Sequence, residues 1–167
     1  EKGIFNGGLG SITKDFRSMQ YFSCPNQFIA TGNSNHNGFK YGLTWMAYRP
    51  IHETECCIGN LHRYMPNYVA RMWLKDKKGH PVAALYGPSS VVYDLGEGVT
   101  VKIDEITQYP FEEQVKFKFT FFKDGKRSAD SHQMDFTYRI PGWCKAAESG
   151  FHTESKEWKS GEVFTVR

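Results

Sequence analysis

The sequence predicts a mainly β chain: an antiparallel β-sandwich preceded by one helical segment and an irregular lead-in. Three observations carry that expectation. From Val82 onward, short stretches alternate apolar and polar residues, the period of strands with one buried face. Between about Cys56 and Leu74, residues Ile58, Leu61, Met65, Val69, Met72 and Trp73 recur at three- and four-residue steps, which puts them on one helix face. The period changes at Gly79 and Pro81, residue types that end helices.

Taken in order, residues 1–18 carry Gly3, Gly7, Gly8 and Gly10 and read as a looped or extended lead-in. Residues 19–24 read as a short strand broken by Pro25 and Asn26, with a second strand over 27–31. Residues 32–38 form a polar loop rich in Asn and Ser. Residues 41–48 are aromatic and strand-like, and Pro50 ends them. Pro66 lies inside the helical stretch and removes one backbone hydrogen bond. It predicts a kink, or two shorter helices meeting near Met65.

The strands follow. Residues 82–86 lead into a Gly87-Pro88 turn, and 90–95 lead into a turn at Gly96 and Gly98. Residues 99–106 and 115–121 alternate cleanly, and Asp124-Gly125 is a hairpin signal. Residues 134–140 alternate again and stop at Pro141-Gly142, and 161–166 form the last strand. Short alternating strands at regular spacing point to a sandwich. No internal repeat interrupts them.

Composition narrows the function. The chain has 167 residues, enough for one domain with a core or for a domain plus part of another. Aromatic residues make up 16%, which suits a β core or a carbohydrate-facing surface. The net charge of +3 is too small and too evenly spread for a nucleic-acid partner. The basic run 75–78 contains Asp76 and reads as a solvated turn. No apolar run has transmembrane length, so no membrane partner is expected. The chain starts at Glu1 and reads as cut at both ends, a fragment of a longer protein. A missing leader therefore says nothing about where the parent works.

The reactive groups concentrate at Cys56-Cys57. Two thiols at a helix start sit where backbone N–H groups and the helix dipole favour the thiolate. The other cysteines, Cys24 and Cys144, are not spaced for a small disulfide scaffold, and adjacent cysteines rarely bond each other. The pair reads as free thiols or metal ligands. The plainer reading is two small buried side chains starting a core helix. Zinc usually takes paired cysteines two to four residues apart, so adjacent ligands are unusual. His52, Glu53, Glu55 and His62 are nearby candidates for further ligands, though each also reads as a surface or packing residue.

Glu55-Cys56-Cys57-Ile58-Gly59-Asn60 resembles the Cys-Cys-x-x-Asn segment of glycoside hydrolase family 127, the β-L-arabinofuranosidase-like enzymes. Downstream, Val82-Ala83-Ala84-Leu85-Tyr86-Gly87-Pro88-Ser89, Ile106-Thr107-Gln108-Tyr109-Pro110 and Phe136-Thr137-Tyr138-Arg139-Ile140-Pro141-Gly142-Trp143 are similar to that family's sandwich segments. These pieces cover about the last two-thirds of the chain, in the family's order. The resemblance implies a parent with an (α/α)6 barrel followed by β-sandwich domains. Residues 1–79 would be the end of the barrel and 80–167 the first sandwich. Cys56 would be the nucleophile, and Cys56 and Cys57 would together bind zinc. The family's other two zinc ligands, a Glu-x-Cys pair, and its general acid/base lie upstream; no Glu-x-Cys precedes Cys56 here.

The implied partner is a carbohydrate: the parent is expected to cleave L-arabinofuranosides of plant-type glycans with retention, and the isolated chain is expected to be inactive. Two other classes fit the residues. One is a non-catalytic β-sandwich that binds carbohydrate or another partner, which an exposed row of Trp or Tyr would favour. The other is a metal-binding structural domain.

Overall fold

The computed structural model describes residues 2–21, 48–50 and 56–167, the side chains of residues 56–58 and 61 excepted. The strand expected over 27–31, part of that over 19–24 and most of that over 41–48 lie outside the described residues, as does the loop 32–38. The chain divides into two compact units, Glu1–Tyr68 and Val69–Arg167.

In the first unit, part of the lead-in is helical. A π-helical turn, Gly3–Gly8, runs into a 3-10 turn, Leu9–Ser11, where a loop was expected. Glycine serves close packing here. A Cβ on Gly8 would lie 2.6 Å from the Tyr64 ring, so a larger residue there requires the ring to shift. Phe5 meets Tyr68 edge-on at 5.5 Å. Met19 bridges Ile12 and Arg49 in antiparallel fashion. Helix α1, Cys56–Val69, carries Pro66 without breaking into two helices. The Asn67 side-chain amide donates to the Arg63 carbonyl at 2.8 Å, supplying a donor in the turn that the proline disturbs.

The helix ends at Val69, five residues before the expected Leu74. Trp73–Lys75 is instead strand β1, paired antiparallel with β2, Pro81–Ala83. Met72 and Trp73 continued the helical spacing in sequence, but tertiary contacts claim them. The Met72 carbonyl accepts from Ala84 and Leu85, and the Trp73 ring packs edge-on against Phe117 at 5.9 Å. Asp76 shapes the turn between these strands. Its Oδ1 accepts from the Lys78 and His80 amides, both at 2.8 Å, so the solvated turn expected at 75–78 is found from Asp76, with Lys75 closing β1.

The second unit is mainly β, with two sheets. One has the order β1-β2-β7-β8, with β7 at Ser131–Ile140 and β8 at Gly150–Lys159. The other runs β3 (Ser89–Gly96), β4 (Val99–Thr107), β5 (Val115–Lys123) and β6 (Lys126–Arg127), with β9 (Val163–Val166) also paired to β5. The Asp124-Gly125 hairpin joins β5 and β6, with both residues at positive φ.

Alternation puts one face of each sheet inside. Val101 and Ile103 of β4, Phe117, Phe119 and Phe121 of β5, and Met134 and Phe136 of β7 are all buried. Their rings interdigitate: Phe136 lies 4.9 Å from Phe117 and 5.1 Å from Phe119, both edge-on. Trp158 of β8 tilts over Phe119 at 4.3 Å and donates its indole N–H to the Met134 carbonyl at 2.9 Å.

Two features depart from the expectation. Strand β2 pairs with β7 in parallel, not antiparallel. Parallel neighbours need a long crossover, and β3 to β6 of the other sheet provide it. Strand β8 fell in a stretch, 143–160, where no strand was expected. It is a sheet edge whose residues are mostly exposed, and Trp158 is its fully buried side chain. Such a strand has little apolar alternation to read.

Candidate functional site

Cys56 and Cys57 are the first two residues of α1. The first amides of a helix lack partners within the helix, so this is where a negative sulfur is favoured. The Cys56 and Cys57 side chains lie outside the described residues, as do His52, Glu53, Glu55 and Cys24. His62 is exposed on α1. Cys144 is a half-buried free thiol in the second unit.

A second cluster belongs wholly to the sandwich, and the sequence did not announce it. Asp76 and His80 come from the β1–β2 turn and Asp135 from β7. One donor atom from each lies within 4.8 Å of the others. Each carboxylate is anchored through one oxygen: Asp76 Oδ1 by two amides, Asp135 Oδ1 by the Ser155 hydroxyl. The other oxygens face His80 Nδ1, at 3.6 Å from Asp76 Oδ2 and 3.4 Å from Asp135 Oδ2. Lys78 Nζ also lies 3.4 Å from Asp135 Oδ2. This donor set can hold a metal ion, and it can equally share an imidazolium between two carboxylates. The signal available in sequence was Asp76 and His80 four residues apart; only the fold brings Asp135 to them.

The cluster has a pH consequence. The Ser155 hydroxyl hydrogen bond, and then Lys78 and His80, hold the Asp135 carboxyl below its ordinary value of 3.8, against a smaller opposing effect of burial. A depressed folded value means that the unfolded chain binds the proton more tightly. The stabilisation is therefore complete above the ordinary aspartate range and is lost as pH falls through the folded value. Asp135→Asn should accordingly be less stable than the native chain near neutrality, and the gap should close in strong acid. Urea midpoints measured from strong acid to neutrality check this; a gap that stays constant would contradict it.

A third polar group is structural. Glu105 takes an inward position on β4 and is 3% exposed. Its oxygens accept from the Gly87 amide at 3.0 Å and the Ser89 hydroxyl at 2.9 Å, and Ser89 Oγ accepts from the Trp73 indole at 3.0 Å. A buried carboxylate so engaged ties the 87–89 turn to β4 and is closed to substrate.

Comparison with known families bears on both units. Residues 82–160 match the model described as β-L-arabinofuranosidase, GH127 middle domain. That stretch is similar to a GH127 middle domain. This segment spans β3 to β8 and most of β2, the body of the sandwich described above. No curated protein sequence matches the chain.

Three solved structures resemble it. One is a GH127 β-L-arabinofuranosidase from Geobacillus stearothermophilus T6, with 17% identity, a TM-score of 0.67, and coverage of 97% of this chain and 26% of that one. A glycoside hydrolase gives 18% identity, a TM-score of 0.69, and coverage of 97% and 27%. A GH127 β-arabinofuranosidase gives 15% identity, a TM-score of 0.60, and coverage of 97% and 26%. At these identities the likeness is one of fold. The chain spans about a quarter of the length of each of these structures.

Proposed function

We propose that the parent of this chain is a retaining glycosidase acting on L-arabinofuranosides, with Cys56 as nucleophile and zinc held by Cys56 and Cys57. The observation that carries the reading is the pairing of a stretch similar to a GH127 middle domain at 82–160 with two adjacent thiols at the first residues of α1, ahead of it in the chain. Residues 1–79 are then the end of an (α/α)6 barrel and 80–167 the sandwich that follows it.

The donor chemistry fits zinc in kind. Thiolates are preferred zinc ligands, and a helix start favours their ionised form. Zinc bound there would lower the thiol pKa values and fix the two sulfurs. The rest follows from the chain itself. Most retaining glycosidases attack with a carboxylate. An ionised Cys56 sulfur can take that role, forming a carbon–sulfur bond at the anomeric carbon as the glycosidic bond breaks. The aglycone oxygen takes a proton from an acid supplied by the rest of the parent. Water then displaces the sulfur, and two displacements at one carbon give net retention.

Two adjacent cysteines are half of a tetrahedral site, so the 167-residue chain alone should hold zinc weakly at Cys56-Cys57 and should not turn over substrate. The test uses the full-length parent and the isolated chain side by side. The parent should hydrolyse a nitrophenyl β-L-arabinofuranoside with retention, and the chain should release no nitrophenol. An inverted product, or no action on any arabinofuranoside, would overturn the reading. Tight zinc in the isolated chain that survives His80→Gln but not Cys57→Ser would show that local groups complete the thiol site.

A further inference from the structure

We propose that the sandwich carries a glycan-binding site of its own, built without Cys56 or Cys57: a cavity between loops 108–114 and 141–149 that takes a neutral sugar unit. The cavity measures about 390 Å³, within the range of small-molecule pockets. Its floor is buried and apolar, formed by Tyr86, Val115, Ile140 and Val166. These are the ends of β5, β7 and β9 and the residue ahead of the Gly87-Pro88 turn, so the site rests on the sheets and not on the loops alone.

The walls are aromatic. Tyr109 lines the cavity and is braced edge-on against Tyr86 at 5.6 Å. Trp143 lines it from the other loop and is 39% exposed, unlike the fully buried Trp158. Phe111, on the same loop as Tyr109, is 90% exposed. The Tyr86 hydroxyl donates to the Arg139 carbonyl, which fixes the ring at the floor.

Charge at the lining selects the ligand. Glu113, Lys145 and Arg167 contribute to it, and none of the three makes a hydrogen bond or ion pair among the described residues. They offer one strong acceptor and two strong donors. An anion would meet Glu113, a cation would meet Lys145 and Arg167, and a fatty chain would leave all three unused. A sugar uses every part. Its C–H face lies against an aromatic ring, and its hydroxyls both donate to a carboxylate and accept from cations. The site is independent of the Cys56 chemistry, since its lining belongs to the second unit.

The experiment titrates the 167-residue chain with an arabino-oligosaccharide, and with xylo- and cello-oligosaccharides as comparisons, following tryptophan fluorescence and heat. Saturable binding of at least one glycan is expected at about millimolar strength, weakened about tenfold by Trp143→Ala. Glu113→Ala and Lys145→Ala alter exposed residues and leave the core intact, so they test the site should Trp143→Ala fail to fold; each should weaken binding. Cys56→Ser should bind as the native chain does. No binding of any of the three glycans overturns the proposal. So does binding that survives Trp143→Ala, Glu113→Ala and Lys145→Ala unchanged, or that disappears with Cys56→Ser. Because the readout is binding by a chain expected not to catalyse, its failure leaves the proposed hydrolysis standing, and the reverse holds too.

Discussion

Phe136→Ala should lower the stability of the sandwich by about 3–5 kcal/mol, a large share of the roughly 5–15 kcal/mol typical of a folded domain. The reason is position. Phe136 is fully buried on β7 and touches both sheets, with ring neighbours at Phe117, Phe119, Trp158 and Phe164. Truncation removes apolar contact and leaves a cavity that four rigid rings cannot readily fill. The matched control is Phe151→Ala on β8, where the side chain is 59% exposed and the cost should stay within about 0.5 kcal/mol. Urea unfolding followed by tryptophan fluorescence separates the two. A loss below about 1 kcal/mol for Phe136→Ala would mean that the two sheets do not pack as described.

Cys56→Ser should remove nearly all turnover from the full-length parent, even where zinc is retained. Consecutive side chains at a helix start diverge by about 100°. Of two adjacent sulfurs that share a metal, one points along the line of attack, and the family resemblance assigns Cys56 to it. A serine hydroxyl is not ionised near neutral pH, so the substitution keeps the shape and loses the nucleophile. Cys57→Ser should act mainly through looser zinc, and added zinc should restore part of the rate. Initial rates on a nitrophenyl β-L-arabinofuranoside, with zinc content measured on the same samples, decide between the roles. A dead but zinc-replete Cys57→Ser beside an active Cys56→Ser would reverse them.

Where one face of a strand is buried, the sequence shows it. Val101 and Ile103 on β4 and Phe117, Phe119 and Phe121 on β5 alternate with polar residues, and Asp124-Gly125 has the chemistry of the hairpin it makes. Where burial does not alternate, the strand is silent. Strand β8 exposes most of both faces and rests on Trp158. Strand β1 hides because Met72 and Trp73 prolong the helical spacing past the end of α1. The β2–β7 pairing is parallel and distant, which local pattern does not encode. The same division holds for the sites. Cys56-Cys57 is visible because its residues are adjacent. The Asp76, His80 and Asp135 cluster and the Trp143 cavity are assembled from separate strands and loops, so they appear only in the fold.

The most direct test of the nucleophile asks where the sugar is attached during turnover. The parent is quenched in acid while hydrolysing the nitrophenyl substrate, digested, and its peptides are weighed. The account predicts a pentose-sized mass increase on the peptide containing Cys56-Cys57, localised by fragmentation to Cys56 and missing from the Cys56→Ser protein. A pentose attached to a carboxylate elsewhere in the parent, with Cys56 unmodified, would contradict it.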